Sequence, residues 1–216
     1  MRKFGCSGLS HSHVRFGANK QTDEEILTYL EKEIKEEADG DALSDKFYFT
    51  EWKLAKAESE ITMTKKLQSE TITVIFNVND SLEDNYDEYE NVDLDGPPMS
   101  SRPSFVVEIA KPSGIKMMIS CECVSDQESL DSFDKNSTNA DQIEITSVQV
   151  YKGERLPTNF VCQKFDEMLY EKLLNVLEER NINNQFVSEL ISYSTVYEHQ
   201  LYVDFLKKMK RHLSEK

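Results

Sequence analysis

Hydrophobic spacing divides the chain into three regimes. From about Thr22 to Ala38, Ile26, Leu27, Leu30 and Ile34 recur at helical spacing and predict a first helix with one narrow apolar face. Thr22-Asp23-Glu24-Glu25 fits a capping box, in which the Thr hydroxyl takes a backbone N–H and the Glu three residues on reaches back. Asp39-Gly40-Asp41 is expected to end the helix. So narrow a stripe needs another helix to pack on, as in a coiled-coil pair.

From Phe47 to Tyr151 the period drops to two. Trp52 and Leu54 share a face, as do Ile61, Met63, Lys65 and Leu67. Ile72, Val74, Phe76 and Val78 alternate with Thr73, Asn77 and Asn79, and Phe105, Val107 and Ile109 make the next run. Ile115, Met117, Ile119 and Cys121 follow the turn Lys111-Pro112-Ser113-Gly114, and Ile143 and Ile145 open a strand that leads to Tyr151. Such alternation predicts an antiparallel sheet with one face buried and one wet. Short connections such as Gln68-Ser69-Glu70 point to hairpins. Helical spacing then returns. Phe165, Met168, Leu169, Leu173, Val176 and Leu177 mark one helix, and Asn181 after Arg180 supplies a left-handed cap. Asn183 or Asn184 caps a longer helix carrying Phe186, Val187, Leu190, Ile191, Tyr197, Tyr202, Phe205, Leu206, Met209 and Leu213. The class is α+β.

Charge sharpens this outline. The 216 residues carry a formal charge of -15, with Asp+Glu 40 against Lys+Arg 25. That balance favours cationic partners and argues against phosphate-backbone binding over the whole surface. The acids are unevenly placed. No cation lies between Lys66 and Arg102, and from Asp80 to Asp95 every ionisable residue except Tyr is an acid. Residues 80–101 and 125–141 form two long acidic connections between strands, a length that marks functional or disordered loops. Glu83, Asp84, Asp87, Glu88, Glu90, Asp93 and Asp95 are therefore the candidate partner-binding residues; the competing reading is a solvated loop with no role. Positive charge gathers at the two ends. Residues 1–20 hold Arg2, Lys3, Arg15 and Lys20 and no acid, the composition of a mitochondrial presequence, and residues 21–216 form one acidic domain. Lys207, Lys208, Lys210 and Arg211 crowd the end of the last helix, where they suit its dipole and make a candidate basic patch.

The usual signatures of chemistry are missing. There is no GxSxG, HExxH, P-loop or dinucleotide glycine pattern. His199 between Glu198 and Gln200 lies inside a helix, where adjacent side chains point apart, and reads as structural. Cys121 and Cys123 share a face but are too few for a structural zinc site. Asp93-Leu94-Asp95-Gly96 lacks the closing Glu of a calcium loop. No catalytic residue, metal or cofactor is predicted. No apolar run is long enough for a secretory core or a membrane span, and the sequons at Asn79 and Asn136 matter only in a secreted protein.

Several runs then stand out in order. They are Ile72-Thr73-Val74-Ile75-Phe76-Asn77-Val78-Asn79, Pro103-Ser104-Phe105-Val106-Val107-Glu108-Ile109, Phe186 through Leu190, Ser194-Thr195, Glu198-His199-Gln200, Tyr202 and Phe205-Leu206. From about Thr22 onward the chain resembles the mitochondrial acidic matrix protein family, with Asn181 in place of the Gly usual after the second helix. The resemblance implies a strongly twisted seven-stranded antiparallel sheet, one N-terminal and two C-terminal helices, and a ring-shaped homotrimer of uneven charge. It implies residence in the mitochondrial matrix and binding rather than catalysis: support of the mitochondrial ribosome and translation, RNA association, and capture of basic proteins. The expected function is thus a non-enzymatic, multi-ligand acidic scaffold. Direct RNA contact would need Lys65, Lys66 and the C-terminal cluster on one face. The alternative is a cell-surface or secreted receptor for complement C1q-type or polyanionic ligands.

Overall fold

The three regimes become α1 (Lys20–Glu37), β1 (Lys53–Ala57), β2 (Glu60–Leu67), β3 (Glu70–Ser81), β4 (Pro103–Ala110), β5 (Ile115–Cys123), β6 (Ile143–Lys152), β7 (Val161–Cys162), α2 (Glu167–Glu178) and α3 (Asn184–Ser214). The computed structural model describes residues 20–37, 48–81, 101–124, 142–156 and 159–215. All seven strands join one antiparallel sheet in chain order, each paired with its successor. Two-residue loops close the first two hairpins, with Glu58 and Gln68 each at φ 54 in the left-handed region that such turns require. The β4–β5 turn uses Gly114 at φ 78, whose N–H donates to the Lys111 carbonyl at 2.9 Å.

The chain forms two compact units: Met1–Gly40 with Val203–Lys216, and Asp41–Tyr202. In the first, Leu30, Val203 and Leu206 are buried, and Lys210 reaches Glu31 at 3.0 Å. In the second, one sheet face supplies Ile61, Met63, Ile72, Val74, Phe76, Val78, Phe105, Val107, Ile109, Ile119 and Cys121 to the core. Leu173 and Leu177 of α2 and Phe186, Val187, Leu190, Tyr193 and Tyr197 of α3 cover it. Each such apolar side chain contributes about 1.5–3 kcal/mol on burial. Tyr193, 0% exposed, has its ring 5.7 Å from both Phe49 and Tyr197 and 6.3 Å from Phe76.

The structure corrects the pattern in five places. Helix α1 begins at Lys20, so Thr22 lies inside its first turn and is no cap; Lys and Gln propagate a helix well enough to carry it past the hydroxyl. The expected stop at Asp39-Gly40-Asp41 lies outside the described residues. A bulge between Ser120 and Cys121 leaves Thr146 with no register partner, its hydroxyl donating instead to the Ser120 carbonyl at 3.3 Å, so Tyr151 shares a face with Gln149 and Met118 rather than with Ile143 and Ile145. The α2 stripe is narrower than its spacing suggests: Leu173 and Leu177 are buried, while Met168 is 72% and Leu169 46% exposed. On α3, Tyr202 (42%) and Phe205 (52%) are exposed, and Ile115 at the start of β5 is 45% exposed.

The link between α2 and α3 follows the expected capping. Asn181 sits at φ 58; its N–H donates to the Glu178 carbonyl at 2.8 Å and that of Ile182 to Leu177 at 3.0 Å. These are the two hydrogen bonds of a Schellman motif, and Leu177 and Ile182 meet in the core. Asn183 Oδ1 then accepts the Phe186 N–H at 3.1 Å and caps α3. Arg180 ties this link to the sheet. Its Nε and Nη2 donate to Glu70 at 2.9 and 3.1 Å, and Lys111 Nζ also donates to Glu70.

Replacing Asn181 with Ala should cost about 1 kcal/mol in urea unfolding, because Ala resists the left-handed conformation, whereas Asn181→Gly should be neutral or better. The Arg180 and Lys111 hydrogen bonds hold the Glu70 carboxyl below its ordinary value of 4.5. A lowered carboxyl gives stability that is present above the unfolded pKa and lost as pH falls through the folded one. Glu70→Gln should therefore lose on the order of 2 kcal/mol at neutral pH, and the deficit should shrink below about pH 4.5 in acid titrations followed by circular dichroism.

Candidate functional site

In a meander, alternate connections leave the same end of the sheet. The two acidic tracts belong to the β3–β4 and β5–β6 connections and therefore share an end. Ser81 pairs with Pro103 across the first stem, after a register shift beyond Phe76. Ser101, 3% exposed, pins its return: the backbone N–H donates to Thr195 Oγ1 on α3 at 2.9 Å, and the hydroxyl to the Val78 carbonyl at 3.4 Å. Across the second stem Cys123 pairs with Ile143, and the Val124 N–H donates to the Gln142 carbonyl at 3.1 Å. The Gln142 N–H donates to Asn184 Oδ1 at 3.0 Å, which holds this stem to the start of α3. The two stems are neighbours: Phe105 pairs with Cys121, and Cys123 Sγ reaches the Pro103 carbonyl at 3.4 Å.

The candidate residues Glu83, Asp84, Asp87, Glu88, Glu90, Asp93 and Asp95 lie outside the described residues, as do Asp126, Glu128, Asp131, Asp134 and Asp141 of the second tract and its one cation, Lys135. The stems carry acid of their own. Asp80 is exposed at the end of β3, and Glu122 pairs directly with Glu144 across β5 and β6. Like charges placed opposite each other repel, and neither residue has an ion pair among the described residues. That pair was missed in the sequence, because only the β5–β6 register brings it together. The far end of the same sheet carries Lys66, Lys111, Lys116, Lys152 and Arg155 near strand ends or turns. The sheet thus carries an excess of acid at one end and more cations at the other, where Lys111 and Lys116 are answered by Glu70 and Glu108.

The predicted basic residues fare unevenly. Lys207 lies 3.6 Å from Asp204 and Lys210 3.0 Å from Glu31, so the patch is partly neutralised, while Lys208 and Arg211 are exposed. Lys65 is a correction: it is 8% exposed, on the core face of β2, and belongs to no surface patch. Lys66, one residue on, is exposed on the opposite face.

On the outer face Tyr151 donates to Glu108, which Lys116 pairs at 2.9 Å, and Arg155 Nε donates to Gln149 Oε1 at 3.0 Å. Burial and the Glu108 bond push the Tyr151 hydroxyl up to about 12. Burial also raises Cys121 well above the usual thiol range and Cys123 to about 12, which removes their thiolates at neutral pH. Iodoacetamide on the native protein should therefore label Cys162 well before Cys121 or Cys123, as read by peptide mass mapping. Among the described residues no helix is long and apolar enough to cross a membrane.

A seven-stranded meander with helices across one face and acid gathered at one end defines an α+β protein of the kind that the sequence resemblance implied. The family model described as mitochondrial glycoprotein (MAM33) matches residues 23–213, and the chain belongs to that family. It is 27% identical over 222 residues to the Bos taurus protein named complement component 1 Q subcomponent-binding protein, mitochondrial, covering 98% of this chain and 76% of the relative. The Rattus norvegicus protein of the same name is 29% identical over 216 residues, covering 95% and 74%. A solved structure of a hypothetical Leishmania major protein of unknown function, described as a sequence homologue of human p32, superposes with a TM-score of 0.62 at 16% identity, covering 89% of this chain and 99% of that one.

Proposed function

We propose that the chain is a non-enzymatic, multi-ligand acidic binding protein of the mitochondrial matrix. In this reading the two acidic tracts capture basic segments of ribosomal or RNA-binding proteins and support mitochondrial translation as a scaffold or chaperone-like partner. The observation that carries it is the adjacency of the two tract stems, with Glu122 facing Glu144 inside the second. Acids outnumber the nearby cations, Arg102 and Lys135, at this end of the sheet, and a basic segment relieves their repulsion. The mitochondrial names of the relatives support the location.

Assembly as a homotrimer belongs to the same reading. The outer face of the sheet runs Ala55, Thr62, Ile75, Val106, Ser120 and Ser147 across six strands without a charge. Near β7, Phe160 is 82% exposed, and Met168 on α2 is 72% exposed. Large exposed hydrophobics on so charged a chain favour a protein contact. Light scattering should give three chain masses.

Attraction between exposed charges fades over about 8 Å at physiological salt. Capture of a basic peptide should therefore fall steeply as salt rises, and Asn/Gln replacement of the acids at positions 83–95 should weaken it at least tenfold without moving the melting temperature. Capture that survives both changes would sink the reading. The relatives' names favour a second one, binding of a C1q-type ligand, which pull-down with purified C1q would test.

A further inference from the structure

The unit Asp41–Tyr202 holds a second site unrelated to the acidic tracts. On the core face of β2, in a row with Ile61 and Met63, stands a lysine. The Nζ of Lys65 is sealed from solvent and has no hydrogen-bond partner. It lies 4.3 Å from the centre of the Trp52 ring. The turn that presents this indole is locked, with Phe49 at φ 51 and the Trp52 N–H donating to the Phe49 carbonyl at 2.8 Å. A left-handed Phe is an unfavourable conformation, and such positions gather where a side chain must be aimed. Burial depresses Lys65 below the usual lysine range, while Glu51 pushes it back up.

Beside this pair opens a cavity of about 280 Å³. Phe49, Trp52 and Phe186 give it an apolar wall, and Glu51, Glu189 and Asn181 a polar one. Gln185 Nε2 donates to Glu189 Oε1 at 3.1 Å and steadies that carboxylate. At about 30 Å³ per water the space suits a molecule of amino-acid size. Its charges select further. A buried ammonium with unused donors demands an acceptor, which favours a carboxylate. Two Glu side chains on the same wall oppose a phosphate dianion and any simple organic acid, and Lys65 opposes a simple amine. Only a ligand with both charges answers both walls.

We propose that this cavity binds a small amino-carboxylate zwitterion of the free amino-acid class, its carboxylate on Lys65, its ammonium toward Glu51 and Glu189, and its side chain against Trp52 and Phe186. Because Nζ is sealed beneath the Trp52 ring, binding requires that this side chain change rotamer while its backbone turn stays fixed. Trp52 is the chain's one tryptophan, so its indole N–H gives a single NMR cross-peak that reports occupancy directly. The folded full chain is titrated with glycine, leucine and phenylalanine, and with leucine's two half-charged analogues, 3-methylbutylamine and 4-methylpentanoate. The expected result is a saturable shift with leucine or phenylalanine at least tenfold tighter than with either analogue. Lys65→Met should abolish it. Glu189→Gln, a change on a half-exposed helix position, should weaken the amino acid and, by removing a repelling carboxylate, tighten 4-methylpentanoate. No saturable shift with any of the three amino acids overturns the proposal. So does equal binding of leucine and 4-methylpentanoate, or an unchanged titration in Glu189→Gln.

Discussion

Strand adjacency governs most of this molecule. When each strand pairs with the next in sequence, connections alternate strictly between the two ends of the sheet. The chain places its two longest acidic stretches two connections apart, so topology alone delivers them to one end. It places Lys66, Lys111, Lys116, Lys152 and Arg155 around the other. No tertiary contact had to be selected for this polarity. Any sheet of this order built from this sequence would be polarised in the same sense, and a β-strand inserted between the tracts would set them at opposite ends.

The same topology lets a chain of charge -15 keep an apolar interior. One sheet face and the covering surfaces of α2 and α3 hold almost nothing but Ile, Val, Leu, Phe and Tyr. About half of the acid lies in connections, and much of the rest is on α1 and the outward positions of α2 and α3. Acid is tolerated close to the core where it is answered: Glu70 is enclosed because Arg180 grips it with two nitrogens. That grip also fixes the α2–α3 link, whose left-handed Asn181 sets where α3 begins. The beginning of α3 in turn anchors the second tract through Asn184, and its Thr195 anchors the first.

Period-two alternation made the sheet legible from the sequence, because a half-buried strand must alternate. The caps at Asn181 and Asn183 were legible because their geometry is local. What remained hidden depends on partners distant in sequence. Nothing around Ser120 signals a bulge, yet the bulge decides which face Tyr151 takes. Tyr193 lies between Ser192 and Ser194 in a run that reads as polar, and only the aromatic cluster explains its full burial. Lys65 fell on the right face of its strand, but the pattern could not show an ammonium sealed under an indole. The acidic tracts were visible as composition; their neighbouring stems and the Glu122–Glu144 pair required the register.

That last pair has a thermodynamic consequence. Two carboxylates facing each other across a ladder work against the hydrogen bonds on either side of them. A cation that settles there removes a strain of the folded state that the unfolded chain does not share. Binding and folding would then be linked at this end of the sheet, and a basic segment captured as proposed would also tighten the strands that hold it. The free protein would be its own least stable form, made firmer in proportion to its load.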